Sequence, residues 1–273
     1  MIDTSAARLA VRPPTSTARQ WWVLTVRVIT PTLRNGEVVT LVAASIMFTA
    51  GFYIPLKHIV GAFIEGTGSY AQYLMPLIAL NGIAFAALSA AFRSATDSVQ
   101  GINRRFKAMP IPSLIPLASR MSASMYRCSM ALAVALICGH VIGFRFYGGV
   151  AHTVGFCLVA LLIGAALSLL GDLIGVATEN PEATVPLMLL PVMIFGQLSV
   201  GLQPAERFPE WIQSFVRDQP ISQFVYTLRA LAGDSTAATG EVTWSVIGPA
   251  MAWLAGLILI VIPLHRLVAS RRR

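Results

Sequence analysis

Lysine is the scarcest charged residue in this 273-residue chain, present only as Lys57 and Lys107. A phosphate-gripping P-loop sets a glycine directly before its lysine, and here the preceding residues are Leu56 and Phe106. The chain therefore lacks that means of hydrolysing ATP. Charge of either sign is thin, at 12% of residues against 56% hydrophobic, which is too little to solvate an ordinary globular surface. The three cysteines, Cys128, Cys138 and Cys157, form no CxxC pair and fall inside apolar runs, so they read as small buried residues without a disulfide. His58, His140, His152 and His265 show no metal-ligand spacing, and no aspartate pair is set as in a metal-dependent transferase. A lipid-modifying enzyme has no catalytic constellation to stand on, and no cofactor is expected in this chain.

What is present is a series of long apolar runs. They predict an all-α integral membrane protein with six spans at about 38–56, 73–92, 121–142, 154–174, 185–202 and 244–264, each near the ~20 residues that a ~30 Å hydrocarbon core requires. Residues 1–19 are polar with Pro13 and Pro14 and are expected to be a disordered tail, leaving 20–273 as one transmembrane domain. In TARQWWVLTVRVITPTLR, Trp21, Trp22, Leu24, Val28 and Ile29 alternate with Arg19, Arg27 and Arg34, which suits a helix lying in the headgroup plane. Pro209 and Pro220 open two short amphipathic helices, the second ended by Gly233, too charged to cross and expected as a non-spanning outer pair.

The net charge of +8 lies beside the apolar runs, so anionic headgroups, not nucleic acid, are its expected counter-ions. Between the second and third spans, RSATDSVQGINRRFKAMPIPSLIPLASRMSASMYR holds six bases against Asp97 alone. Basic loops remain in the cytoplasm, and fifteen of the twenty bases fall on that loop's side of a six-span topology. Both termini are thus expected on the cytoplasmic side of the plasma membrane. Arg120 and Arg127 are expected to snorkel from the third span, while Glu37 and Asp172 sit at span ends where headgroups can solvate them. His140 is expected to be a packed polar residue.

This order of elements, with NGEVVT, FRSATDSVQGINRRFKAMP, GHVIGFRF, ENPEA and FPEWIQSFVRDQPISQFVYTLRALAGD, resembles the permease subunit of type-2 ABC exporters, in the daunorubicin-resistance (DrrB-like) branch of actinobacteria. The resemblance covers about Gln20 to the end, and its last motif is the most specific. FGQLSVGLQP departs from the serine-rich exit of the fifth span seen in that branch. The resemblance implies a second homologous permease and two copies of a separate ATPase subunit that binds ATP and Mg. It also implies a coupling helix within Ala95 to Lys107, with Asp97, Asn103, Arg104 and Arg105 as contacts, and a cargo that is an anthracycline drug or an apolar lipid such as a phthiocerol dimycocerosate.

Charge-poor spans suit an apolar or amphipathic cargo, since an unpaired charge crossing them costs several kcal/mol. An ion-coupled secondary transporter would show internal repeats and acids at mid-depth, which are missing. Trp211, Phe215, Phe224 and Tyr226 offer an aromatic path at headgroup depth, on which the lipid is the expected cargo. The topology is checked with cysteines at Ser235 and Ser270 in a background without the native three. An impermeant thiol reagent on intact cells should label position 235 and spare 270, and the reverse would invert the protein in the membrane.

Overall fold

The computed structural model describes residues 16–60, 69–109, 111–112, 114–233 and 242–271, which are all-helical with no strand among them. Most of the expected tail at 1–19, and Ser235, lie outside the described residues. Helix α1 (Thr17–Arg34) starts inside that expected tail, capped by the Ser16 hydroxyl, which accepts from the Arg19 amide at 3.3 Å. It carries the expected amphipathic pattern: Trp22 and Arg27 are exposed, while Trp21 turns inward and donates from Nε1 to Ser122 Oγ at 3.1 Å. The tight turn at Gly36, with φ +72°, feeds α2 (Glu37–Val60).

Helix α3 (Tyr70–Val99) is the axis of the bundle, almost continuously buried from Tyr70 to Ala95. It runs well past the apolar stretch that marks it in the sequence, because Arg93 and Ser94 find partners inside the protein. After α4 (Ile102–Ala108), α5 (Leu114–Ile142) likewise begins seven residues before the expected span. The basic loop is therefore shorter than its composition suggests, and Arg120 and Arg127 ride on a helix.

Helix α6 (Gly149–Thr178) shares with α3 the largest helix-to-helix contact in the molecule. Small residues make it possible: Gly171 and Gly175 face Ala87, Ala91 and Ala95. A Cβ at Gly175 would run into the Ala91 carbonyl oxygen and come within 2.9 Å of the Ala95 amide nitrogen. Close backbone approach replaces the hydrophobic drive that lipid denies to spanning helices.

Helix α7 (Pro181–Gln197) opens on Asn180, whose Oδ1 accepts from Glu182 and Ala183 at 3.0 and 3.2 Å. It ends earlier than the span expected at 185–202. The chain turns where Ser199 Oγ donates to the Gly196 carbonyl at 2.7 Å and accepts from the Gly201 amide at 3.2 Å. Gln219 Nε2 then satisfies the carbonyls of Phe195 and Leu198, each at 2.8 Å. At 17 residues α7 covers about 26 Å at ~1.5 Å per residue, short of a full hydrocarbon core. Among the described residues, five helices are long and apolar enough to cross: α2, α3, α5, α6 and α10 (Trp244–Arg271).

The expected short helices are α8 (Glu210–Asp218) and α9 (Pro220–Ala232), at the end of the bundle opposite α4. They are unequal. Helix α8 buries only Val216, whereas α9 is sunk among α3, α6 and α10. Ser222 Oγ accepts from the Val200 amide, Thr227 Oγ1 donates to the Val246 carbonyl, and the Ala232 carbonyl accepts from the Tyr147 amide.

Gly175→Ala should cost about 1–3 kcal/mol by forcing α3 and α6 apart. Gly256 has open space around its Cα, so Gly256→Ala should not destabilise. Thermal melts of the detergent-solubilised variants check this, and an unchanged Tm for Gly175→Ala would refute the close-approach account.

Candidate functional site

The basic corner is built by a break between two helices. Helix α3 ends at Val99, Gly101 takes φ +68°, and α4 leaves in a new direction. Only glycine holds that backbone without strain. Asn103, one turn into the corner, donates from Nδ2 to Ser98 Oγ at 2.9 Å and accepts from Arg120 at 3.4 Å. Phe106 sits under Arg27 of α1, with the guanidinium carbon 5.7 Å from the ring centre.

Arg120 carries the corner into the bundle. Its Nε and one terminal nitrogen grip the Asp172 carboxylate at 2.7 and 3.2 Å, and His265 Nε2 reaches the same carboxylate at 3.0 Å. Asp172 is 2% exposed, and its own carbonyl accepts from Ser94 Oγ at 3.1 Å. One connected polar network therefore ties α4, α5, α6, α3 and α10 together. A bidentate guanidinium–carboxylate pair holds its geometry better than a point-charge pair does.

A second cluster lies nearby. Glu37 at the start of α2 pairs with Arg93 of α3, and its other oxygen stands 3.8 Å from Arg127 Nε on α5. Arg93 also donates to Thr32 of α1 at 3.1 Å. Between the two clusters lies a cavity of about 640 Å³. Arg27, Arg93, Arg120 and Arg127 line it against Glu37, Asp97 and Asp172, beneath walls that include Leu24, Val28, Phe85 and Leu88.

At the opposite end Arg229 of α9 is 2% exposed and is held by main-chain carbonyls. It donates to Tyr73 at 3.1 Å, Val200 at 2.9 Å and Gly201 at 3.4 Å, with its guanidinium 3.5 Å from the Tyr73 ring centre. The Tyr73 hydroxyl donates to the same Val200 carbonyl at 2.7 Å.

The predicted residues divide accordingly. Asp97 lines the cavity, Asn103 joins the Arg120 network and Arg105 is exposed on α4; Arg104 is on α4, with its side chain outside the described residues. Trp211 and Phe215, one turn apart on α8, are exposed. Phe224 is buried in the core, so it does not share their surface. Tyr226 is half-buried, and burial pushes its hydroxyl above the usual tyrosine range. Arg120 and Arg127 do not snorkel, and Asp172 is not solvated by headgroups: Arg120 and Asp172 are paired inside the bundle, and Arg127 is buried 3.8 Å from Glu37. His140 is exposed, not packed. The ion network of Arg120, Asp172 and His265 escaped sequence reasoning; its signal was the pair Arg120 and Arg127, two turns apart on one face, with an acid in another apolar run. Among the described residues no group of His, Cys, Asp or Glu is placed to hold a metal.

The family model for ABC-2 type transporters matches residues 19–232. The chain is 48% identical over 262 residues to the doxorubicin resistance ABC transporter permease protein DrrB of Mycobacterium tuberculosis, covering 94% of this chain and 91% of that one. It is 27% identical over 207 residues to the daunorubicin resistance permease DrrB1 of Streptomyces coeruleorubidus, covering 75% and 70%. A third relative, the probable doxorubicin resistance permease DrrC of M. tuberculosis, is 28% identical over 224 residues, covering 82% and 78%.

Asp172→Asn leaves Arg120 buried against a neutral partner and should destabilise by about 3–5 kcal/mol, whereas the double variant Arg120→Met with Asp172→Leu should recover most of that loss. Denaturation in detergent measures both. A double variant as unstable as the single would mean that the pair is not the unit of stability.

Proposed function

The chain belongs to the ABC-2 type transporter family, a multi-pass permease family whose members are transport subunits, and on that premise we propose that it is the membrane subunit of an ATP-driven exporter. In this reading ATP and Mg are bound by a separate ATPase in two copies, and a second homologous permease completes the pore. The observation that carries the proposal is the α3–α4 corner: a short basic helix, set off by Gly101, that is hard-wired through Asn103 and Arg120 to Asp172 and His265. A push on α4 reaches α5, α6 and α10 as rigid bodies. Asp97, Asn103, Arg104 and Arg105 are the proposed ATPase contacts.

The same reading places α4 and both termini in the cytoplasm, by the excess of bases at that end. Helix α7 with the turn after it serves as a sixth, shortened crossing, and α8 and α9 form the outer pair that covers its end. The relatives' names, for doxorubicin and daunorubicin resistance, support a flat amphipathic drug as cargo. The exposed Trp211 and Phe215 support an apolar lipid leaving at headgroup depth; Phe224 and Tyr226 then support that exit from behind.

Replacing Arg104 and Arg105 with glutamate should leave membrane insertion intact, because the other thirteen bases on that side persist. Cargo-stimulated ATP hydrolysis by the reconstituted complex should fall or become independent of cargo. Stimulation assays with an anthracycline and with a long-chain apolar lipid identify which cargo acts. A double variant that assembles and transports as wild type would overturn the coupling assignment.

A further inference from the structure

Arg127 is 1% exposed, yet its Nε and one terminal nitrogen make no hydrogen bond; its other terminal nitrogen donates to Ser124 Oγ at 3.0 Å. Its nearest acid, Glu37, stays at 3.8 Å, too far for a hydrogen bond, and is already committed to Arg93 through its other oxygen. A buried guanidinium with unmet donors is costly, and more so at membrane depth. The residue lines the cavity between the two ion clusters, with its unmet donors closed off just behind the cavity surface.

The chemistry of the walls identifies what fits. Four arginines against three acids leave the polar floor one positive charge in excess, and Asp172 is saturated by Arg120 and His265. Above that floor Leu24, Val28, Leu41, Phe85 and Leu88 make an apolar wall, to which α1 contributes Leu24 and Val28 and α2 contributes Leu41. A small inorganic anion has no use for that wall. A phosphate joined to acyl chains uses both halves, with its oxygens as bidentate acceptors for guanidinium nitrogens. We propose that this cavity is a binding site for an anionic phosphate group, reached as the headgroup of a phospholipid that lodges beside α1. It requires only that the protein sit in a bilayer, and does not depend on which cargo is exported.

The test uses full-length protein in phosphatidylcholine nanodiscs, titrated with fluorescent short-chain phosphatidylglycerol or with its phosphatidylcholine counterpart. Phosphatidylglycerol should bind about tenfold more tightly, because the quaternary ammonium of phosphatidylcholine brings a second positive charge to a floor already one positive charge in excess. Arg127→Gln should abolish the preference and Arg127→Lys keep part of it. Leu88→Trp, which fills the apolar wall and spares every charge, should weaken phosphatidylglycerol binding even where Arg127→Gln fails to fold. Equal binding of the two lipids by the wild type, or undiminished preference in Arg127→Gln, would overturn the site. Displacement of phosphatidylglycerol by millimolar inorganic phosphate would show that the free anion suffices and would overturn the lipid assignment.

Discussion

A guanidinium cannot be left bare in hydrocarbon, and the rest of this structure follows from where its buried arginines find their partners. Three solutions are used. Arg120 takes a carboxylate on another helix, Arg93 takes Glu37 with Arg127 standing 3.8 Å from that carboxylate's other oxygen, and Arg229 takes backbone carbonyls. Each solution joins elements that are distant in sequence, so the placement of charge sets the packing of helices that apolar contact alone would leave free to slide.

The two acid-based clusters concentrate at one end of the bundle, around the corner that projects α4. This gives that end a stiffness which apolar packing does not supply, because an ion pair fixed in bidentate geometry resists rotation as well as separation. Helix α3 passes from this stiff end to the other through its glycine and alanine contact with α6. Force applied at the corner therefore meets a continuous rigid element, not a soft joint.

Much of this was legible in the sequence, and the reasons for what was not are physical. Spans are legible because the bilayer demands apolar runs of a set length, and α2, α3, α5, α6 and α10 appear where those runs are. Their ends are less legible, since Arg93 reads as a loop residue and Arg120 and Arg127 as a snorkelling span end until the carboxylates of Glu37 and Asp172 are placed beside them. The break at Gly101 is local and could be placed, but the reach of Gln219 back to the last carbonyls of α7 joins residues more than twenty positions apart and carries no local signal. The same limit applies to Phe224. Its helical spacing marks one face of α9, but which face meets the core is decided by Arg229 and Ser222, whose partners lie on α3 and after α7.

The clamp at Arg229 differs in kind from the other two, since its acceptors are peptide carbonyls and not side chains. A carbonyl is supplied by any residue at positions 200 and 201, subject only to the tight fit of Gly201 against Leu77. Mutational drift in that turn leaves the acceptors in place, so the attachment of α9 rests on one heritable side chain where the Arg120 site needs at least two. The end of the molecule that carries α8 and α9 can thus vary its surface over generations while its anchoring stays constant, and the end built on ion pairs can change only in step.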